Sequence, residues 1–388
     1  ETRSILGIIK DRVLKFFKEG NRKKITSTDP NLDKRIQWYR DTYENRSILG
    51  IMKDRVLKSL KIESENNIPV KKTEEYVPLL TNNVPHDIKV SVIIPTYNRS
   101  QLLPKLLDCW KEVDKVTKYK YEIIFSDDGS DDGSIAILQK EKQLPVKVIK
   151  NNHGGPAKAR NSAILQAKGE KLLIIGDDIF PNPQLINQHY EKLQELPLNK
   201  AVLGEVIWHK ELEINVLMKH ITELGQEQFS FNAFNPHEYI DFRHFYTCNI
   251  SIDRAFVLAE KIIFDESFYK VNFEDVELGY RLAKKGMEIF YFPEAVAEHH
   301  HSDKSVSAFC KRQETCGEMA IVFRKLHGEE VEWVTQVENV SNLWSTYLAG
   351  VSDADEQDGL IKYVLNCCQS IENNKDVDKK SLEAALSN

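Results

Sequence analysis

Between residues 90 and 196 the chain alternates short apolar runs with stretches of helical spacing. VSVIIP (90–95), YEIIFS (121–126), VKVIK (146–150) and KLLIIG (171–176) are runs rich in β-branched residues. Between and after them, QLLPKLLDCWKEV (101–113), IAILQKEKQ (135–143), PAKARNSAILQAKG (156–169) and PQLINQHYEKLQEL (183–196) repeat their apolar residues every three to four positions. Uniformly apolar runs belong to strands buried on both faces, so the pattern predicts an α/β domain whose mostly parallel sheet is covered by helices on both sides. In such sheets the loops leaving the carboxyl ends of the strands gather at one crevice. TYNRS (96–100), SDDGSDDGS (126–134), NNHGGPAKAR (151–160) and GDDIFPNP (176–183) are therefore expected to converge.

The flanks read differently. RSILGIIKDRVLKFFK (3–18) returns as RSILGIMKDRVLKSLK (46–61). In the first copy Ile5, Leu6, Ile9, Val13, Phe16 and Phe17 share one broad helical face, and Arg3, Lys10, Asp11, Lys15 and Lys18 lie off it. This is an amphipathic helix written twice, too few copies for a solenoid. It serves either for packing against protein or, being basic opposite large apolar residues, for contact with a membrane surface. Residues 67–88, broken by prolines at 69, 78 and 85, read as a linker. Beyond residue 303 the spacing is helical. The expected organisation is a helical repeat region (1–66), a linker (67–88), an α/β domain (89–302) and a helical C-terminal region (303–388).

Composition narrows the class without naming it. The chain of 388 residues is 41% hydrophobic and 29% charged, with net charge −6. That is ordinary globular composition, and it carries no basic field that favours nucleic acid. Six cysteines are scattered without a CxxC, which suits a reducing compartment better than a disulfide framework. The opening stretch places charges inside its apolar run, unlike a secretory leader, and no run approaches a membrane span. The expected location is cytoplasmic, with the repeat helices available for peripheral attachment to the inner membrane face; self-association is left open.

The acidic stretch 126–134 poses its own question. Asp128, Ser130, Asp132 and Gly133 fall at positions 1, 3, 5 and 6 of a calcium loop, but position 12 is Gln139 and a strand-like run precedes. An EF-hand needs a helix on both sides and a bidentate Glu at position 12, so calcium is set aside. Turn-shaping and helix capping account for Asp131, Asp132 and Ser134. They account less well for Asp127 at the strand end.

VSVIIPTYNR, FSDDGSDD, HGGPAKARN, GDD and FEDVELGYRL, in this order and each after the right element, resemble the family 2 glycosyltransferases, which have the GT-A fold. The resemblance covers about residues 89–302. It implies that Pro95, Thr96 and Tyr97, with Arg99 nearby, pack on the base and ribose of a nucleotide-sugar donor; a tyrosine ring suits a nucleobase. It assigns Asp127 to the base, where an acceptor-only carboxylate suits the ring N–H of uracil, so a UDP-linked donor is expected. Asp128 and Gly155 belong to the same donor-binding set, with Lys158 and Arg160 facing the diphosphate.

GDD takes the place of the family's metal motif, commonly Asp-x-Asp. Gly176 stands at the first aspartate's place, Asp178 is the implied ligand for Mn2+ or Mg2+, and Asp177 serves at the ribose or the ion. A histidine after the last strand reaches the metal or diphosphate in relatives; His299, then His301, is the implied one. In the Glu-Asp pair the family's aspartate is the general base, so Asp275 is the implied base of an inverting transfer and Glu274 orients it or the acceptor. The acceptor is a hydroxyl of a glycan, lipid-linked saccharide or protein. QETCG (313–317) stands where processive members carry Gln-x-x-Arg-Trp, which implies one transfer per encounter.

Residues 204–245 are irregular and aromatic, and Trp208, His209, Phe231, Phe234, Tyr239 and His244 read equally as acceptor platform or core. Two alternatives compete with the transferase reading. A nucleotidyltransferase would want a Gly-rich, basic loop after the first strand, which TYNRS is not. A non-catalytic scaffold module would have no need of Asp178 and Asp275.

Overall fold

The computed structural model of the chain describes residues 87–215, 218, 222, 231–301 and 306–338. The amphipathic repeat, with its expected membrane or partner contact, lies outside the described residues, as does nearly all of the linker. Among the described residues one compact unit comprises 87–213 and 231–301, and a second contains 306–338.

The first unit is built on a nine-stranded mixed sheet. Its strands are β1 (Val90–Thr96), β2 (Tyr121–Asp127), β3 (Val146–Lys150), β4 (Lys171–Ile175), β5 (Ile179–Pro181), β6 (Lys200–Trp208), β7 (Tyr239–Ile240), β8 (Asn249–Asp253) and β9 (Glu288–His299). Eight run in the order β3-β2-β1-β4-β8-β6-β9-β5, and β7 pairs with β9. The first four are mutually parallel, as the apolar runs predict. β8 is antiparallel to β4 and β6, β6 and β9 are parallel, and β5 runs against β9. These antiparallel insertions come from short, irregularly flanked segments whose periodicity does not announce them.

The helices are α1 (Leu103–Val116), α2 (Ser134–Lys140), α3 (Pro156–Gln166), α4 (Leu185–Glu195), α5 (Arg254–Leu258) and α6 (Glu274–Ala283). Proline opens α3 and lies in the first turn of α1, where a missing N–H costs nothing. Period-two alternation sorts the strand residues into two cores. Val92, Ile94, Ile123 and Phe125 point to one face, against Leu106 and Trp110 of α1 and Ile186 of α4. Ile93, Ile124, Leu172 and Ile174 point to the other, against Ala163 and Ile164 of α3 and Leu278 and Leu282 of α6. With both faces covered, polar function is confined to the strand ends.

The second unit contains α7 (Val306–His327), a 3-10 turn (Gly328–Val331) and α8 (Glu332–Thr335). Met319, Val322 and Phe323 of α7 are buried. No helix among the described residues is long and apolar enough to cross a membrane.

Candidate active site

The carboxyl ends of β1 and β2 sit side by side, Thr96 opposite Asp127, which brings TYNRS against the acidic loop. Hydrogen bonds lock the two together. Asn98 N donates to Ser130 Oγ, Arg99 N to Ser134 Oγ, Ser100 N to Asp132 Oδ2 and Asp131 N to Asn98 Oδ1. Asp128 reaches the third loop, accepting from Gly154 N at 2.9 Å and Gly155 N at 3.0 Å. The carboxylates of Asp128 and Asp132 are thus held by backbone N–H donors, the reverse of a calcium cage.

Asp127 differs. Its Oδ2 accepts from Gly129 N and Ser130 N, both at 3.0 Å, while Oδ1 is buried with no partner among the described residues. A buried carboxylate oxygen without a donor costs free energy unless a ligand supplies one. The Tyr97 ring lies over His153 with centroids 4.7 Å apart and planes 28° apart, and 45% of Tyr97 remains exposed. The His153 ring is fixed in turn by Asp128, 2.9 Å away. Gly155 has φ +92°, and a Cβ there would sit 2.7 Å from Tyr269 O, so this turn needs glycine.

Asp177 and Asp178 occupy the turn between β4 and β5. Arg99 Nε donates to Asp177 Oδ1 at 3.1 Å, and its Nη2 lies 3.7 Å from Asp178 Oδ2. Because β5 pairs with the end of β9, Ile179 opposite His299, the last histidines are drawn beside Asp178. His300 N donates to Asp178 O at 2.7 Å, and His299 Nε2 lies 3.4 Å from Asp178 Oδ2. The His299 ring stacks with those of Trp208 and His301. Burial raises Asp177, with the charge of Asp178 adding to it against Arg99. Burial would raise Asp178 too, but His299, Arg99 and His301 outweigh it and hold that carboxyl well below the ordinary range. A Cβ on Gly176 would lie 2.8 Å from Asp178 Oδ1 and 3.0 Å from Ile179 Cγ1. Glycine here makes room for the carboxylate.

Across the sheet, α6 begins at Glu274 and Asp275, after Asn272 (φ +91°) and Phe273 (φ +65°). Two successive non-glycine residues in the left-handed region store strain, and strain of this kind gathers at working sites. Glu274 is buried and its Oε1 accepts from Arg160 Nη1 at 2.7 Å; Glu274 Oε2 and Arg160 Nε have no partner among the described residues. Asp275 is half-buried and accepts from its neighbour Val276 N at 2.8 Å. Burial and the adjacent Glu274 push its carboxyl up to about 7, against Arg160 and the backbone donors. Burial raises the Cys248 thiol well above its usual value, and Asp275 and Asp178 both add to this. The ends of β4 and α6 therefore act on one common atom, at the start of β8.

Residues 91–258 match the family model described as glycosyl transferase family 2. They form a family 2 glycosyltransferase domain. The sheet with its parallel half, and the loops at its carboxyl edge, are its GT-A fold. The chain is similar to an uncharacterised glycosyltransferase of Rickettsia conorii, 30% identical over 216 residues that make up 55% of this chain and 32% of that protein. It is similar also to the poly(ribitol-phosphate) beta-N-acetylglucosaminyltransferase TarS of Staphylococcus aureus, 35% identical over 102 residues, 26% of this chain and 18% of that one. The chain thus spans a third or less of these relatives' length. Among solved structures, a mannosyltransferase from Pyrobaculum calidifontis in complex with GDP-Man and Mn2+ aligns over 87% of this chain and 97% of that one, with TM-score 0.48 and 16% identity.

The structure gathers Thr96, Tyr97, Arg99, Asp127, Asp128, Gly155, Asp177 and Asp178 of this domain, and His299 beyond it, through the contacts above. His301 stacks on His299, and Pro95 lies within β1 opposite Ser126. Lys158 is half-buried, its Nζ on Asn152 O at 3.1 Å. Arg160 departs from the sequence expectation. It does not project from the start of α3 toward a diphosphate; it is buried on Glu274, with its guanidinium over the Phe264 ring. A residue at the fifth position of α3, on the same face as Ala157 and Ile164, points into the core, and a carboxylate there was required to hold it. In the aromatic segment Phe231 is core, Trp208 belongs to the His299 stack, Phe234 packs on His244 and Tyr291, and Tyr239 is 46% exposed in β7. His153 and Cys248 escaped sequence reasoning. The HGG triplet was a usable signal for the first; the second carried none.

Proposed function

We propose that this domain transfers a sugar from a nucleoside-diphosphate donor, with uracil as the preferred base, to an acceptor hydroxyl with inversion at the anomeric carbon. The observation that carries the reading is that Asp178 and Asp275 both bear electrostatically on the Cys248 thiol, which supports a cation-holding acid and a proton-accepting acid serving one site. The orphaned Asp127 Oδ1 accepts the ring N–H of the base, and the exposed Tyr97 face covers it. The relatives' names support sugar transfer as the reaction class.

The donor set at Asp178 fits a hard divalent ion. Ligand atoms in adjacent positions of an octahedral ion such as Mg2+ lie about 3 Å apart, close to the 3.4 Å between Asp178 Oδ2 and His299 Nε2. One carboxylate and one imidazole leave the remaining positions to phosphate oxygens and water. When bound, Mn2+ or Mg2+ neutralises charge growing on the leaving diphosphate. The chain's own residues do the rest. Arg99 holds Asp177 and Asp178 in place. Asp275, poised near neutral pH, takes the acceptor proton as the oxygen attacks from the face opposite the diphosphate. Glu274 fixes that end of α6 through Arg160.

The test is a screen of nucleotide sugars for donor hydrolysis and transfer, with and without Mn2+ or Mg2+, repeated on Asp275→Asn. Turnover of a UDP-sugar that needs the ion and is lost in the variant is the expected result. Binding and cleavage of no nucleotide sugar under any ion would refute it.

A further inference from the structure

The β6/β9 pair ends with two rows of side chains facing opposite ways. Trp208 and His299 stack on each other on the Asp178 side. The next residues, His209 and His300, point to the other side, their rings 4.6 Å apart and inclined at 60°. Ligand atoms of His209, Glu211 and His300 all lie within 4.8 Å of one another. We propose that this second cluster binds a divalent transition-metal ion of the zinc class, separate from the donor ion.

The surroundings build the site. Phe180 is its floor, stacked on His300 at 5.0 Å and edge-on to His209 at 5.1 Å. His209 is buried, and its backbone N donates to His299 O, continuing the ladder past the end of β6. Glu298, on the same face of β9 as His300, places Oε2 3.6 Å from His209 Nε2. Glu211 N donates to His209 Nδ1 at 3.2 Å. Together these put the ring proton on Nε2, toward a carboxylate, and leave the Nδ1 lone pair, on the Glu211 side, to exchange this long N–H contact for the ion. A carboxylate that orients a ligating histidine through its other nitrogen is the usual support of such ions. Lys105 pairs with Glu211 Oε2 and leaves Oε1 to ligate, so Lys105 is the local competitor. Two imidazoles and one carboxylate suit Zn2+ with an open fourth position, and they suit Mg2+ poorly. Occupancy would staple the end of β6 to the end of β9, one residue from His299.

The full chain, freed of metal with a chelator, is titrated with Zn2+, and separately with Co2+ to read coordination from its visible spectrum. About one equivalent of Zn2+ should bind at this site. Glu211→Gln and His300→Gln should each weaken it at least tenfold. Asp178→Asn should leave it unchanged, and Lys105→Met should tighten it. Glu211 is exposed, so its variant keeps the fold even if the His300 variant does not. The proposal is overturned if no Zn2+ binds, if Glu211→Gln binds as tightly as the parent, or if Asp178→Asn abolishes binding, which would place the ion at the donor site.

Discussion

Asp275→Asn separates what the fold pays for from what the chemistry uses. The carboxyl of Asp275 goes from an ordinary value of 3.8 to about 7 in the folded chain, through burial first and the neighbouring Glu274 second. A raised native value means the folded state holds a proton that the unfolded state has released. Stability from this group is therefore fully present below about pH 4 and lost as pH rises through about 7. Three units correspond to about 4 kcal/mol at most. Asp275 is only half-buried, so about 2 kcal/mol is the working figure. Asparagine keeps an acceptor for Val276 N and never ionises. D275N should therefore match the parent in stability near pH 4 and exceed it by about 2 kcal/mol at pH 8. For a domain of this size that is about 4–8 °C in Tm.

The assay is thermal or denaturant unfolding of both proteins across pH 4–9 in chelator, so that no bound ion contributes. A stability gap that does not change with pH, or a variant less stable at pH 8, would refute the account of Asp275 as a destabilised acid. Transfer should move the opposite way. Parent kcat/KM should rise through about pH 7 as Asp275 loses its proton, and D275N should lose about 10²–10⁴-fold at pH 8.

Three further outcomes follow from named contacts. Asp127→Asn replaces the unpartnered acceptor with a group half donor, half acceptor; calorimetry with UDP should show affinity falling by about 10–100-fold, from the loss of about 1.5–3 kcal/mol of charge-assisted bonding. Gly176→Ala puts a methyl 2.8 Å from Asp178 Oδ1, so Mn2+ affinity read by electron paramagnetic resonance should drop while Tm changes by only a few degrees. Arg160→Met leaves Glu274 charged, buried and unpartnered, and should cost about 3–5 kcal/mol in denaturant unfolding; the double change with Glu274→Gln should recover much of it.

The parallel half of the sheet was legible because strands such as Val90–Thr96 and Tyr121–Asp127 are buried on both faces and read as unbroken apolar runs. Asp127, Asp178 and Asp275 were legible because each stands at the end of an element whose type the pattern fixes. Arg160 was not. Its spacing from Pro156 says that it lies on a helix, but whether a guanidinium faces solvent or core depends on a carboxylate more than a hundred residues later. The same holds for β8, whose NISID carries no mark of running against its neighbours. Asn249 at its start is fixed by long-range partners: it accepts from His189, and its Nδ2 donates to Glu205 O and Ala295 O. Local pattern identifies elements; pairs distant in sequence set the direction in which the polar ends of those elements point.

The placement of His299 shows how much rests on one such pairing. Up to Gly204, which faces Phe292, β6 and β9 keep a constant register. From Gly204 to Val206 the first strand advances two residues while the second advances five, and the ladder resumes with Val206 opposite Ala297. An odd excess reverses which face each later residue of β9 presents. Without it Trp208 would face Val296, and His299 would lie past the end of the paired region. The irregularity is held where Gly204 meets Ala295 O and the Asn249 amide, which a Cβ would overlap. That amide is itself anchored by His189, buried between Asn249 and Ser251. So a glycine, an asparagine and a histidine, none of them facing a ligand group of either histidine, determine that His299 turns toward Asp178 while His300 turns toward His209.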